Sequence, residues 1–245
     1  MFAVAASAVQ AWTPNTEYAY KVQSRTLSAL HQVGDEYSGM LTRATLKLRA
    51  VSQNKLYAKL SKPEYADVHQ TLPGGWGSPI DEQSLQWQKL DMTEKTFTIE
   101  LRNGVVEHIN VRPDVPEWEL NMIKGIVGQL QVDARAENVI NSRLNQLPTE
   151  QSEQAVYKTM EDSVTGKCEV LYDISPLPEY VLQSNPELVP KPKHSEEGQI
   201  LDIVKSTNYS NCEHRPVFHH GFGGENDWEP ASNKMGQFLA VSTTL

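Results

Sequence analysis

The chain lacks any apolar run approaching the roughly 18–20 residues that a membrane-spanning helix requires. It has only two cysteines in 245 residues, and its 22 Lys and Arg residues are outnumbered by 31 Asp and Glu, which gives a formal net charge of −9. This acidic balance argues against a surface that binds nucleic acid as a whole. Hydrophobic residues make up 39% of the chain and charged residues 22%. Such a composition is globular, and its length suits one large domain or two small ones.

Motifs of the common enzyme classes are also missing. The sequence contains no nucleophile elbow, no HExxH pair and no phosphate-binding loop. Residues 221–224 (GFGG) resemble part of an anion-binding loop, but the Lys-Ser/Thr ending is absent and no helix is predicted to follow. We therefore expect no catalytic residues and no enzymatic activity.

Residues 1–11 (MFAVAASAVQA) carry no charge and are mostly small or apolar. Val9 and Ala11 stand where a signal peptidase expects small residues, although no basic residue precedes the apolar stretch. We predict a signal peptide, complete or truncated, over residues 1–11 and a mature domain over residues 12–245. A frayed apolar N-terminus is the alternative.

The two cysteines, Cys168 and Cys212, would pair in a secreted chain and remain two separate thiols in a cytosolic one. Asn208 begins the tripeptide Asn-Tyr-Ser, an N-glycosylation motif, four residues before Cys212. We expect a glycan at Asn208 if the chain is secreted.

Alternation of apolar and polar residues with a period of two predicts an antiparallel β protein. The hairpin over residues 95–111 is the clearest example, because Asn103-Gly104 is a typical two-residue turn between two alternating runs. The other predicted strands cover residues 17–27, 42–51, 54–61, 167–174, 179–183, 199–207 and 237–243.

One helix is predicted, over residues 115–131. Asp114, Pro116 and Glu117 are typical of a helix start, with Asp114 as the capping residue. Apolar residues surround most of the helix circumference, which indicates a largely buried helix. A barrel or strongly curved sheet wrapped around it would bury it in this way; an ordinary helix packed on one sheet face is the alternative.

Histidines gather late in the chain, where His214, His219 and His220 follow Cys212 and Glu213. Imidazole and thiolate are preferred zinc ligands, but this spacing fits no recurring zinc pattern. A polar loop with exposed histidines is the simpler interpretation, and we assign no metal ligands and no cofactor.

A run of positively charged residues in the first third of the chain indicates more about function than the histidines do. Between Tyr37 and Pro63 there is no acidic residue, yet there are six cations: Arg43, Lys47, Arg49, Lys55, Lys59 and Lys62. Alternation places Arg43, Lys47 and Arg49 on one strand face, with Lys59 on the same surface of the next strand. A clustered positive face attracts acidic partners; lysines that protect an edge strand from aggregation are the alternative.

The sequence resembles the N-terminal β-barrel of insect vitellogenins, within the large lipid transfer proteins, over nearly its whole length. The resemblance is carried by long ungapped runs. They are Trp12-x5-Tyr18-x-Tyr20-x-Val22-x-Ser24-Arg25-Thr26-Leu27, Asp114-Val115-Pro116-x-Trp118-Glu119, residues 126–133 (IVGQLQVD), residues 160–174 (MEDSVTGKCEVLYDI, with Thr165 variable) and residues 186–190 (PELVP).

This resemblance implies a non-enzymatic module of a secreted yolk-precursor lipoprotein, found in haemolymph and then in oocyte yolk. The implied fold is an antiparallel β-barrel closed around one central helix, and the implied disulfide is Cys168–Cys212. The resemblance also implies uptake through a receptor of the LDL-receptor class. The acidic repeats of such a receptor suit the cations of this chain, so the expected receptor-binding residues are Arg43, Lys47, Arg49, Lys55 and Lys59.

Members of this family are far longer, and their lipid cavity lies in downstream domains. We expect the chain to be a partial sequence, a short form or a cut-out domain, with lipids carried by the remaining vitellogenin domains. A barrel that binds a small ligand in its interior, or one that binds zinc or DNA, is the alternative function.

Overall fold

A computed structural model describes residues 12–29, 35–133, 139–147, 154–164, 166–186, 200–214 and 243–244. Its strands are β1 (Glu17–Ala29), β2 (Glu36–Ser52), β3 (Lys55–Thr71), β4 (Gln88–Lys89), β5 (Phe97–Arg102), β6 (Val105–Asn110), β7 (Ala155–Ser163), β8 (Gly166–Pro176), β9 (Leu201–His214) and β10 (Thr243–Thr244). Its helices are α1 (Glu117–Gln129) and α2 (Glu179–Ser184). The protein is mainly β with antiparallel sheets, as predicted. None of the helices in the described ranges has the length and apolar character to cross a bilayer.

The chain forms two compact units. The large-sheet unit contains Trp12–Arg102 and Val106–Leu130, and the small-sheet unit contains Gln131–Arg215. Each unit has its own apolar core.

The large sheet has the strand order β10-β1-β2-β3-β5-β6, and β4 pairs additionally with β3. Alternation along β2 and β3 directs Leu46, Leu48, Leu56 and Leu60 to one face, where each is at most 3% exposed. Among the described pairings none joins β6 to β10, so closure into a barrel stays a prediction.

A bulge in β3 shapes the opposite face of this sheet. Thr45 pairs with Ser61, but Arg43 pairs with Glu64, so β3 has one extra residue between the two pairs. Lys62 lies in this extra stretch with a φ of 54°. Because the extra residue is in β3, the side chains of β2 keep alternating between the two faces of the sheet. The bulge instead changes the direction in which the side chains of β3 point.

The Asn103-Gly104 turn forms as predicted. Asn103 and Gly104 have φ values of 52° and 80°, which matches a two-residue hairpin turn with both central residues in the left-handed region. The turn joins β5 to β6 as neighbours in the large sheet.

Helix α1 packs one face on the large sheet. Ile123 and Val127, at 3% and 0% exposure, belong to the same core as the leucines of β2 and β3. Trp118, by contrast, is 45% exposed, and Lys124 is exposed on the next turns. The expectation of a helix buried around most of its circumference is therefore wrong, because the remaining apolar residues lie on its half-buried flanks.

The predicted capping role of Asp114 is also wrong. Pro116 occupies the N-cap position, without a side-chain hydrogen bond, and the Asp114 carboxylate pairs with Lys95 and Arg112 instead. These hydrogen bonds, above all that from Lys95, lower the pKa of Asp114. The carboxylate is therefore engaged by two cations that lie outside the helix.

The small sheet has the order β7-β8-β9. Tyr157 of β7 and Tyr172 of β8 lie opposite each other, and their rings stack with centroids 4.9 Å apart. Strand β7 was not predicted, because its buried face carries Thr159 and Glu161 beside Tyr157 and so hides the apolar alternation.

The strand predicted over residues 179–183 is wrong, since this segment forms α2. Pro178 occupies the N-cap position, Glu179 stands in the first turn, and the backbone N–H of Leu182 bonds to the Pro178 carbonyl. Strand β8 ends two residues earlier, at Pro176, and no neighbouring strand pairs with the described residues of this segment. Of the strand predicted over residues 237–243, only Thr243 lies in the described ranges, where it belongs to β10; residues 1–11 lie outside them.

Candidate functional site

The predicted cations lie on the face of the large sheet opposite α1, which we call the cationic face. Lys47 lies opposite Lys59, and Arg49 lies opposite Tyr57, across the β2–β3 ladder. Their chain neighbours Leu46, Leu48, Ala58 and Leu60 point into the core with α1, so the cations point to the other side. Lys47, Arg49 and Lys59 are exposed.

Three of the five predicted cations have carboxylate partners from outside the acid-free stretch. Arg43 bonds Glu64 at 2.7 Å, Lys55 bonds Glu100 at 3.3 Å, and Lys47 stands 3.9 Å from Glu17. These ion pairs span 21, 45 and about 30 residues along the chain. The surface is therefore less uniformly positive than the sequence indicates.

Arg43 is also the most fixed of these cations. Its guanidinium lies 3.8 Å from the centroid of the Trp87 ring while its Nε donates to Glu64. The Trp87 indole N–H in turn donates to the Glu82 carbonyl. Arg43 thus holds the segment before β5 against the sheet and is the least available of the five for an external partner.

The structure adds Lys21, which the sequence analysis missed. Lys21 of β1 pairs with Thr45, two positions from Lys47 on the same face, and is exposed. In the described part of the chain, no carboxylate forms an ion pair with Lys21, Arg49 or Lys59. The alternation of β1 was visible in the sequence, but its register on β2 was not, and that register brings Lys21 to Lys47.

A cleft of about 300 Å³ lies over one end of the same sheet. Arg25 Nη1 donates to the carbonyls of Trp76 and Ser78, at 2.5 and 3.0 Å, and so closes one wall. Gln23 donates to Glu82 across the opening at 3.0 Å. None of the α1 residues lines this cleft, so it is distinct from the interior pocket that a small-ligand barrel would use.

In the small-sheet unit, Cys168 and Cys212 form a disulfide, the pairing that the resemblance implied. Beside it, the nearly buried Glu169 accepts hydrogen bonds from Lys158 at 2.9 Å, Asn211 at 2.8 Å and Asn208 at 3.3 Å. These donors, Lys158 first, lower the pKa of Glu169. Asn208 itself is exposed, as a glycan would require, and its glycosylation stays a prediction.

A second polar cluster is fully internal to this unit. Glu161 binds Lys205 Nζ at 2.6 Å and the Tyr172 hydroxyl, and the Lys205 and Glu161 side chains are only 8% and 5% exposed. Burial lowers the pKa of Lys205 and raises that of Tyr172. These contacts join β7, β8 and β9.

The late histidine cluster gives no metal site in the described residues, which hold no group of three or more potential ligands. Cys212 is committed to the disulfide and cannot supply a thiolate. Two of its histidines, His219 and His220, lie outside the described residues.

Comparison with known proteins places this geometry in context. The family described as "Vitellogenin N-terminal domain" matches residues 12–245. The chain is 42% identical over 233 residues to vitellogenin of Anthonomus grandis and 40% identical over 227 residues to vitellogenin-1 of Solenopsis invicta. These alignments cover 95% and 93% of the chain, but the chain spans only 13% of the length of either relative.

A solved structure concerned with lipid–protein interactions in lipovitellin shares the fold, with a TM-score of 0.54 at 15% sequence identity. That match covers 84% of this chain and 18% of the lipovitellin chain.

Proposed function

Because the chain belongs to the vitellogenin N-terminal domain family, we propose that it is the N-terminal module of a secreted yolk-precursor lipoprotein that serves lipid transport and nutrient storage. In this role it docks a vitellogenin receptor of the LDL-receptor class through the cationic face. The module is not an enzyme. It travels in the haemolymph and reaches the oocyte yolk with the lipoprotein.

The observation that carries the docking proposal is the register of β1, β2 and β3. It brings cations from three strands onto one solvent-facing surface of a chain whose net charge is −9. Such a local positive field steers an acidic partner to one orientation and raises its association rate.

We assign the lipid cargo to the downstream domains of the full-length lipoprotein. The interior face of the large sheet is filled by its own leucines together with Ile123 and Val127 of α1. Lipid extraction of the purified chain should therefore yield far less than one lipid per molecule. Stoichiometric lipid would favour the small-ligand barrel instead.

Receptor docking is tested with the soluble ectodomain of a vitellogenin receptor and the purified chain. We expect the affinity to fall steeply between about 50 and about 200 mM salt, because exposed charges are screened over that range. Charge reversal at Lys47, Arg49 and Lys59 together should weaken binding at low salt.

Circular dichroism checks that the variant is folded, and Lys124→Glu, on the helix side of the sheet, is the control. Absence of binding by the unmodified chain at low salt would contradict receptor docking. Binding that the triple reversal leaves unchanged would remove these residues from the interface.

A further inference from the structure

We propose that the cleft over β1 and β2 binds a neutral sugar of one or two rings, either free in solution or at the end of a protein-linked glycan. The site is independent of the docking role proposed above, because the described residues that line it include no lysine. Its wall is the segment over residues 76–87, which follows β3 along the chain. Its base is the side of β1 and β2 that faces away from α1.

Alternation along β1 places two polar side chains at the base of the cleft. Val22 belongs to the core of the large sheet, so Gln23 and Arg25 alternate with the inward-facing residues of β1 and point to the other side. Arg25 lies opposite Leu41 of β2, which is only 7% exposed. Leu41 and Ile80 both line the cleft, so its surface combines apolar and polar groups.

Hydrogen bonds fix the wall to the sheet at both ends. At one end, Arg25 donates to the main-chain carbonyl of Trp76. At the other end, Gln23 donates to the Glu82 carboxylate, and the indole N–H of Trp87 donates to the Glu82 carbonyl. A cleft whose walls are held before a ligand arrives loses less conformational entropy on binding.

The contacts of the two indole rings disfavour a cationic ligand. The Arg25 guanidinium lies 5.6 Å from the centroid of the Trp76 ring, and the Arg43 guanidinium lies 3.8 Å from the centroid of the Trp87 ring. Each ring therefore already makes the cation–π interaction that an ammonium ligand would need. The two arginines would in addition repel such a ligand.

The polar residues of the lining disfavour an anion and a hydrocarbon chain. Glu82 places a carboxylate in the cleft, and the net charge of the chain is −9. The opposing charge, Arg25, already donates through Nη1 to two carbonyls. A hydrocarbon chain would remove water from Gln23, Arg25 and Glu82 without replacing its hydrogen bonds, which costs free energy.

A neutral sugar satisfies these constraints. The bond between Gln23 and Glu82 uses only one carboxylate oxygen, so Glu82 Oε2 and Gln23 Oε1 can accept hydrogen bonds from sugar hydroxyls, while Arg25 has further N–H groups to donate. The carbon-bound hydrogens of a sugar ring form an apolar face that can pack on the indoles of Trp76 and Trp87. A volume of about 300 Å³ is at the small end for ligand pockets, which limits the ligand to one or two rings.

Calorimetric titration of the purified chain tests the proposal. The probes are glucose, galactose, mannose, N-acetylglucosamine, maltose, cellobiose and lactose, with choline and glucose 1-phosphate as the cationic and anionic comparisons. We expect at least one neutral sugar to bind with a Kd of about 1 mM or tighter. Absence of heat from every neutral sugar up to about 20 mM, or tighter binding of choline or glucose 1-phosphate, would overturn the proposal.

Two variants show whether the sugar lies in the cleft. Trp76→Leu removes an indole but keeps the main-chain carbonyl that Arg25 binds, and Glu82→Gln keeps the side-chain shape but replaces an acceptor oxygen by an amide donor. Each should weaken sugar binding about tenfold or more, because polar groups of the site lose their matched partners. Trp118→Leu and Glu117→Gln make the same exchanges on exposed residues of α1 and should change the affinity less than about twofold.

Trp76→Phe separates a lost ring contact from a lost fold. It keeps an aromatic face, so it should recover most of the affinity that Trp76→Leu loses, while the urea midpoints of both variants show that they are folded. Equal effects of the cleft variants and the α1 variants would place the sugar elsewhere and overturn the assignment.

A last comparison distinguishes the two sources of the sugar and keeps the proposal apart from receptor docking. If the ligand is a protein-linked glycan, the chain binds a mannose-rich glycoprotein more tightly than the same protein after glycosidase treatment; if it is a free sugar, the two forms bind alike. Affinity for the receptor ectodomain should be the same for Trp76→Leu and the unmodified chain. A loss of receptor affinity in this variant would contradict the independence of the two sites.

Discussion

At the scale of single residues, the contacts of each charge decide what it can do. Arg43 and Lys59 belong to the same acid-free stretch, yet Arg43 is held between Glu64 and Trp87 whereas Lys59 faces Lys47. The first side chain therefore stabilises the fold, and the second is available for a partner. Composition cannot distinguish them, because the difference lies in which residue each strand places opposite.

Glu169 carries a prediction at this scale. Its pKa is lowered by Lys158 first and then by Asn211 and Asn208, so its ionised form is bound more favourably in the folded state than in the unfolded one. The resulting stabilisation is fully present above the ordinary carboxyl pKa of 4.5 and is lost as the pH falls through the lower folded value. Glu169→Gln should lower the free energy of unfolding by about 1.5–3 kcal/mol at neutral pH, the usual worth of hydrogen bonds to a charged group.

Urea unfolding from pH 7 to pH 3 measures this effect, and the difference between variant and unmodified chain should shrink below pH 4.5. Glu213→Gln, which breaks an exposed ion pair with Lys167, is the control and should change stability little. A difference that is the same at every pH would contradict an ionised, stabilising Glu169.

At the scale of elements, α1 shows how burial and pattern diverge. The helical spacing of the sequence places apolar residues on most sides of α1, but the buried residues of the helix are only Glu119, Ile123 and Val127. Glu119 accepts hydrogen bonds from the Thr93 backbone N–H at 3.0 Å and its hydroxyl at 2.7 Å, which fixes the helix to the segment before β5. The hydrogen bonds of Glu119 and the apolar contacts of Ile123 and Val127 therefore hold the helix in place.

The two sides of α1 should respond in opposite ways to substitution. Ile123→Ala removes a core side chain and should cost about 2–5 kcal/mol of stability. Gly125 is exposed, and a Cβ added there meets nothing within 4 Å, so Gly125→Ala should stabilise the protein by about 0.5–1 kcal/mol through helix propensity alone.

Denaturant unfolding monitored by circular dichroism measures both changes, with the m-value checked for two-state behaviour. A destabilising Gly125→Ala would show that this side of the helix is covered after all.

At the scale of the whole molecule, the chain combines two compact units with separate cores. The cationic face belongs to the large-sheet unit, and the disulfide and both buried polar clusters belong to the small-sheet unit. The proposed docking surface and the disulfide thus belong to different units of one chain.

Loss of the disulfide should accordingly act on the small sheet first. The bridge joins residues 44 positions apart, so Cys168→Ser/Cys212→Ser should cost about 4 kcal/mol in the chain-entropy description. Amide exchange should accelerate in β7–β9 under native conditions, while β2 and β3 serve as the internal reference in the same experiment. Equal acceleration in both sheets would contradict a local effect.

Much of the fold follows from residue pattern. The parts of β2 and β3 over residues 42–51 and 55–61, the Asn103-Gly104 turn and the position of α1 were predictable because alternation, positive-φ turn residues and helix spacing are local properties. Residues 36–41 and 62–71, which extend these two strands, were not predicted. Where polar residues face the interior, as along β7, the same rule failed. It also failed at α2. This short segment has no strand partner among the described residues, and the proline and glutamate at its start favour a helix.

A mainly antiparallel β chain with a strongly basic segment, two cysteines and one long helix follows from local residue patterns. Which of the cations are neutralised, and which are left without an ion-pair partner in the described part of the chain, depends on the fold. Strand register brings Glu17, Glu64 and Glu100 to three of them and sets Lys21 and Lys59 on either side of Lys47. The physical reason is that charges interact over a few ångströms in space, and the ladders join residues that lie tens of positions apart along the chain.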